Sequence, residues 1–171
     1  MPAILVLLAA AHAVPRDAAY ALLLLAHVVC AVVGFGSVGL SGVYAVAAVA
    51  GPTGPRAEAA RRYFAPGVNW AGRALYGVPV FGFALLAASH GAFGDGDGFV
   101  IAGLVLWTVA VVVAEAALWP AERRIQQAMA EDWDRAAAAP PFVRDCRTVV
   151  ASSVLLVAAF VVATVLMVGK P

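Results

Sequence analysis

A chain of 171 residues that is 64% hydrophobic and 12% charged is no ordinary soluble domain; such domains carry about 25% charged and roughly 45–50% apolar residues. A net charge of +1 offers no basic footprint for nucleic acid. The few charges leave long gaps: none between Asp17 and Arg56, Arg73 and Asp95, or Arg147 and Lys170, and only Glu115 between Asp97 and Glu122.

Each gap is long enough to cross a hydrocarbon core of roughly 30 Å, which takes about 20 helical residues. Backbone groups in lipid must be paired within a helix or a closed barrel. Barrel strands alternate over about ten residues, whereas Val149–Val168 is a continuous apolar run. The expectation is therefore an all-α fold, a four-transmembrane-helix bundle forming one integral membrane domain over residues 1–171.

In chain order, Met1–Val14 is apolar and ends in Ala11-His12-Ala13 without the basic start of a secretory signal. It reads as a segment on the outer interface, broken from span one by Pro15-Arg16-Asp17. Span one covers about 18–49 and is ended by Gly51-Pro52-Thr53-Gly54-Pro55. A loop over 51–73 holds a short basic helix, Ala57–Phe64, with Tyr63, Phe64 and Trp70 suited to the interface. Span two covers about 74–93, kinked at Pro79, whose freed carbonyl partner a neighbouring helix re-satisfies. The Gly94–Gly98 turn predicts an antiparallel hairpin with span three, about 99–119, which stops at Trp119-Pro120. A separate cytoplasmic helix follows over Ala121–Ala139, ended by Pro140-Pro141, and span four covers about 148–168.

Arg56, Arg61, Arg62 and Arg73 lie in the first loop, and Arg123, Arg124, Arg135, Arg144 and Arg147 in the third, 120–147; only Arg16 and Lys170 lie opposite. Basic loops stay inside, so both termini are expected outside. Cys30 and Cys146 then sit on opposite sides of the membrane and should stay unbridged.

Gly34-Phe35-Gly36-Ser37-Val38-Gly39 spells the dinucleotide fingerprint, but within a membrane span it lacks the strand–turn–helix context. It reads as close helix packing. On the same span His27, Cys30, Gly34, Ser37, Ser41 and Tyr44 fall on one helical stripe about 100° wide. Lipid would not tolerate that face, so it turns inward, either as an intramembrane packing seam or as a cavity lining. His27 and His90 are the histidines on spans and come out at similar depth, as two helices holding a b-type haem or a copper ion would place them; His12 is a possible third ligand. Otherwise His27 gives a hydrogen bond to a carbonyl and His90 sits in water. Glu115, the one acid within a span, pairs with Arg73 or Arg123 or serves a proton relay, with Thr108 seven residues before it on the same face. Asp95 and Asp97 read as turn residues, not a calcium loop. No catalytic motif is present.

Leu25-Ala26-His27 followed by Gly34-Phe35-Gly36, the Arg61-Arg62 entry to span two, and the ending Leu166-Met167-Val168-Gly169-Lys170-Pro171 carry a resemblance. The chain resembles an uncharacterised bacterial family of small four-span integral membrane proteins, itself similar to the copper-resistance protein D type and the membrane-bound protoporphyrinogen oxidase type. The wider group's first-helix histidine is a proposed haem or metal ligand, a role the resemblance gives to His27. Where the family commonly has Trp-x-Gly-Gly after the histidine, this chain has Gly34 at the Trp position and Ser37 at the second glycine.

The leading expectation is a non-catalytic subunit or accessory protein of a larger membrane complex in a bacterial cytoplasmic membrane. Its partners would be the bilayer and other membrane subunits or further copies of itself. The alternatives are a haem- or copper-binding redox protein using His27 and His90, and a small permease or metal transporter with Glu115 on its path.

Overall fold

The computed structural model describes residues 17–51, 53–137 and 139–169. The Met1–Val14 segment, His12, Arg16 and Lys170 lie outside the described residues. Every regular element among the described residues is helical. These elements are α1 (Ala18–Val49), α2 (Pro55–Tyr63), α3 (Trp70–Arg73) with a 3-10 turn at Ala74–Tyr76, α4 (Gly77–Ala87), α5 (Gly98–Val113) with a π turn at Ala114–Leu118, α6 (Trp119–Ala137) and α7 (Pro140–Val168). Four stretches are long and apolar enough to cross a membrane: Ala18–Val49, Trp70–Ala87, Gly98–Ala137 and Pro140–Val168.

α1 and α7 form the central pair. α4 flanks α1, α5 flanks α7, and α6 packs back on α7. Close approach of the central pair depends on small residues. A Cβ on Gly42 would stand 2.7 Å from Ser153 Cβ. Ser153 Oγ donates to the Val38 carbonyl at 2.7 Å, and Phe35 stacks on Phe160 with centroids 5.0 Å apart. Such hydrogen bonds and packing hold helices together where lipid is as apolar as the side chains. The core is concentrated toward the arginine-bearing end, around Val38, Phe64, Leu118, Ile125, Cys146 and Val149. α4 buries no residue and α5 only Ala110, while Leu22, Val80, Val112 and Val154 are exposed. That is the surface a lipid-facing bundle presents.

Several boundaries differ from the sequence reading. Span two begins at Trp70 and ends at Ala87, short of residue 93. Backbones with positive φ at His90 (51°) and Gly91 (84°) break the helix there. α4 and α5 hardly touch and leave a cleft, not a tight hairpin. Pro120 does not end span three. Trp119 N–H reaches back five residues to the Ala114 carbonyl. This wider turn accommodates a proline that has no N–H and would clash in regular α geometry. Pro140 and Pro141 open α7 and lengthen it by about two turns, because the first turn of a helix needs no donor from them. The short basic helix occupies Pro55–Tyr63.

Pro79 has no N–H to offer the Leu75 carbonyl one turn earlier. The indole Nε1 of Trp107 on α5 donates to that carbonyl at 2.8 Å, bridging two helices that otherwise stand apart. Trp107→Phe should lower thermal stability in detergent by about 1–2 kcal/mol. In a Pro79→Ala background, where residue 79 regains its amide, the same change should be markedly milder. Equal losses in both backgrounds would contradict this role for the indole.

Candidate functional site

The polar stripe of α1 meets protein along its length, buried at Gly34, Ser37 and Ser41 and partly so at His27, Cys30 and Tyr44. His27 Nδ1 lies 2.8 Å from the Val78 carbonyl. A carbonyl only accepts, so Nδ1 carries the proton and Nε2 is the ring's acceptor. Cys30 Sγ lies against Gly77, where a Cβ would come within 2.6 Å. Gly34 abuts the 3-10 turn so closely that a Cβ there would stand 2.8 Å from Leu75 N. Ser37 Oγ donates to Asn69 Oδ1 at 2.9 Å. Ser41 Oγ meets Tyr63 OH at 2.7 Å and also Glu122 Oε1. The Tyr44 ring stacks on Tyr63 with centroids 4.3 Å apart.

At the His27 end, the cleft between α4 and α5 encloses a cavity of about 160 Å³, lined by Tyr20, His27, Gly82, Phe83, Trp107 and Met167 among others. His27 lies level with Gly82. His90 is exposed, does not line this cavity, and sits past the end of α4. Five helical residues from Gly82 to Ala87 alone span about 7–8 Å. The structure therefore does not bring the two imidazoles together, and they do not fit a haem held between them. The cavity is also smaller than the roughly 300–1,000 Å³ usual for ligand pockets. Among the described residues, no group of three or more His, Cys, Asp or Glu side chains is placed to hold a metal ion.

At the arginine-bearing end, charged and polar groups from distant segments converge. Arg73 Nη1 pairs with Glu115 Oε1 at 3.2 Å, and Tyr76 OH bonds to the same carboxylate. The Arg73 guanidinium lies 3.5 Å over the Trp119 ring, a cation–π contact. Trp119 is 2% exposed, and its buried Nε1 finds no acceptor among the described residues. Thr108, read as a possible companion of Glu115, instead donates to the Leu104 carbonyl of its own helix at 2.8 Å.

The feature missed in the sequence is Glu122. It is 5% exposed and lies in the wall of a cavity of about 540 Å³ that Asn69, Arg73, Trp119, Arg123, Gln126 and Gln127 also line. Read as part of a solvated face, it in fact occupies the buried stripe of Leu118, Ala121 and Ile125. That i, i+3, i+4, i+7 placement was the available signal. Around Glu122, Tyr63 OH donates to the Ser37 carbonyl at 3.1 Å, and Asn69 Nδ2 reaches Tyr63 OH at 3.5 Å. Burial pushes the Tyr63 phenol above its ordinary value despite opposing hydrogen bonds from Ser41, Ser37 and Asn69, and a charge on Glu122 would push it further. Tyr63 thus remains a neutral donor. A neighbouring pair, Arg124 Nη2 and Asp145 Oδ1 at 2.9 Å, ties α6 to α7.

The chain belongs to the family described as "Predicted integral membrane protein (DUF2269)", whose model matches residues 21–171. No curated protein and no solved structure matches it.

The seam makes a differential prediction. Gly34→Ala should destabilise by about 1–3 kcal/mol, since the added methyl meets backbone. Gly36→Ala, with nothing within 4 Å of its Cβ position, should be neutral or stabilising by up to about 1 kcal/mol, as glycine is a poor helix former. Detergent melting curves compare the two; equal effects would contradict the packing assignment.

Proposed function

We propose that the protein is a non-catalytic subunit of a larger membrane assembly. It would reside in a bacterial cytoplasmic membrane with its arginine-bearing end inside, where basic loops meet anionic lipid at about 1 kcal/mol per residue. One observation carries the reading. The Glu115 side chain is 48% exposed, although it is held by Arg73, itself 21% exposed. From Gly98 to Glu115 a helix rises about 26 Å, which keeps Glu115 inside a hydrocarbon core of about 30 Å. Ionisable groups at such depth almost always face a protein interior or a water-filled cavity. Here Arg73 turns toward the bundle and its cavity, but Glu115 lies on the outer surface, so a neighbouring chain supplies the missing cover. The π turn beneath Glu115 is a local departure of the kind that recurs at functional sites.

A photo-crosslinker placed at Tyr76 or Val112 should capture one discrete membrane protein, either another subunit or a second copy. That species should co-purify in mild detergent and be lost in Glu115→Leu. A lone species carrying only lipid adducts would contradict the proposal.

A second reading has one observation in its favour. The resemblance to the copper-resistance D and protoporphyrinogen oxidase types implies haem or metal binding at His27. A carbonyl fixing Nδ1–H and leaving Nε2 free is the arrangement metal-binding histidines use. A Soret band, or copper retained through purification, that disappears in His27→Ala would support it; a preparation holding neither after growth with ample haem and copper would exclude it.

A further inference from the structure

Four oxygens beside the larger cavity outnumber the hydrogens able to join them. Ser41 Oγ contacts the Ser37 carbonyl at 3.3 Å, Tyr63 OH at 2.7 Å, and Glu122 Oε1. Tyr63 OH contacts the same Ser37 carbonyl at 3.1 Å. The two hydroxyls supply one hydrogen each, a carbonyl supplies none, and an ionised carboxylate supplies none. With Glu122 ionised, two hydrogens serve four oxygen–oxygen contacts, so two pairs of acceptors face each other bare in a buried site. With Glu122 neutral, an unbroken chain forms. Glu122 donates to Ser41, Ser41 to Tyr63, and Tyr63 to the Ser37 carbonyl. Asn69 Nδ2 then meets the remaining lone pair of Tyr63 OH at 3.5 Å. Of the four oxygen–oxygen contacts only the longest, Ser41 to the Ser37 carbonyl, lacks a hydrogen of its own. Buried polar networks persist when their members are satisfied.

We propose that Glu122 is a proton-binding site, loaded from the cavity at the arginine-bearing end, with Ser41, Tyr63 and Asn69 as the groups that hold the neutral carboxyl. The surrounding charges leave it that role. Arg73 of α3 lines the same cavity but is taken by Glu115 and stacks on Trp119. Arg123 follows Glu122 on α6 and is exposed. Asp145 of α7 is taken by Arg124. α1 presents only the two serines and, beyond the Tyr63 ring, Tyr44. α2 presents Tyr63. The Arg73 charge reaches Glu122 through space and favours its anion, but among the described residues no cation is paired with Glu122. The exchange is a simple one: the proton leaves Glu122 Oε for water in the cavity and returns by the same route. This inference is independent of whether the protein has a partner.

Infrared difference spectra of the full chain in bilayers, recorded across a pH titration, test it. At neutral pH a protonated-carboxyl C=O band should be present, lost in Glu122→Gln and kept in Glu115→Gln. Glu122→Gln should also fold normally, because its amide can still donate to Ser41. The native state then binds one proton more than the unfolded chain, so wild-type stability should fall as pH rises through the Glu122 titration. Glu122→Gln should lack that part of the pH dependence. Absence of the band at neutral pH, its survival in Glu122→Gln, or its loss in Glu115→Gln would overturn the proposal. Should Glu122→Gln fail to fold, carboxyl-labelled glutamate decides the point in Glu115→Gln alone. A labelled protonated band supports the proposal and its absence overturns it.

Discussion

Hydrocarbon offers no hydrogen bonds, and that one constraint organises the molecule. A polar atom on a spanning helix must find its partner inside the protein. α1 carries a single stripe of polar side chains, and other elements supply its partners. The Val78 carbonyl accepts from His27 Nδ1–H, Asn69 Oδ1 accepts from Ser37, and Glu122 and Tyr63 meet Ser41. The same rule explains why the carbonyl freed by Pro79 is bonded by an indole from a different span. Where no such demand exists, on the outer faces of α4 and α5, packing is sparse and apolar side chains are exposed.

Much of this was legible in the sequence because charge and periodicity report directly on lipid. Uncharged gaps located four spans, and the 3.6-residue period of α1 located the inward stripe. What escaped depends on partners far away in the chain. Glu122 looked like one charge among many on a mixed-sign helix, and its partner Ser41 lies 81 residues earlier. Pro120 looked like a terminator, because only a π turn, set by tertiary packing, carries a helix through it. His90 looked level with His27 because span two was extended to residue 93. The left-handed backbone at His90 and Gly91 ends that helix sooner. Boundaries at turns are decided by a few φ angles that apolar composition does not encode.

Two acids of the α5–α6 rod stand in opposite situations. Glu115 is paired with an arginine yet faces outward; Glu122, two turns on, is buried among neutral donors. The half-exposed Glu115 is the basis for the proposed contact face, and the buried Glu122 carboxyl is the basis for the proposed proton site beside the cavity. They divide the arginine-bearing end into a contact face and an internal site, whereas the His27 end holds a small, mostly apolar cleft. Fold membership in a family of integral membrane proteins is consistent with either face being the functional one.

The central claim is that the polar stripe of α1 faces protein while its Val29, Val32 and Val43 side faces lipid. Nitroxide scanning over residues 25–46 in bilayers, read as oxygen accessibility, tests it most directly. The account predicts a period of about 3.6 residues, with minima at Gly34, Ser37 and Ser41 and maxima at Val29, Val32 and Val43. A flat profile, or maxima on the serine side, would contradict it.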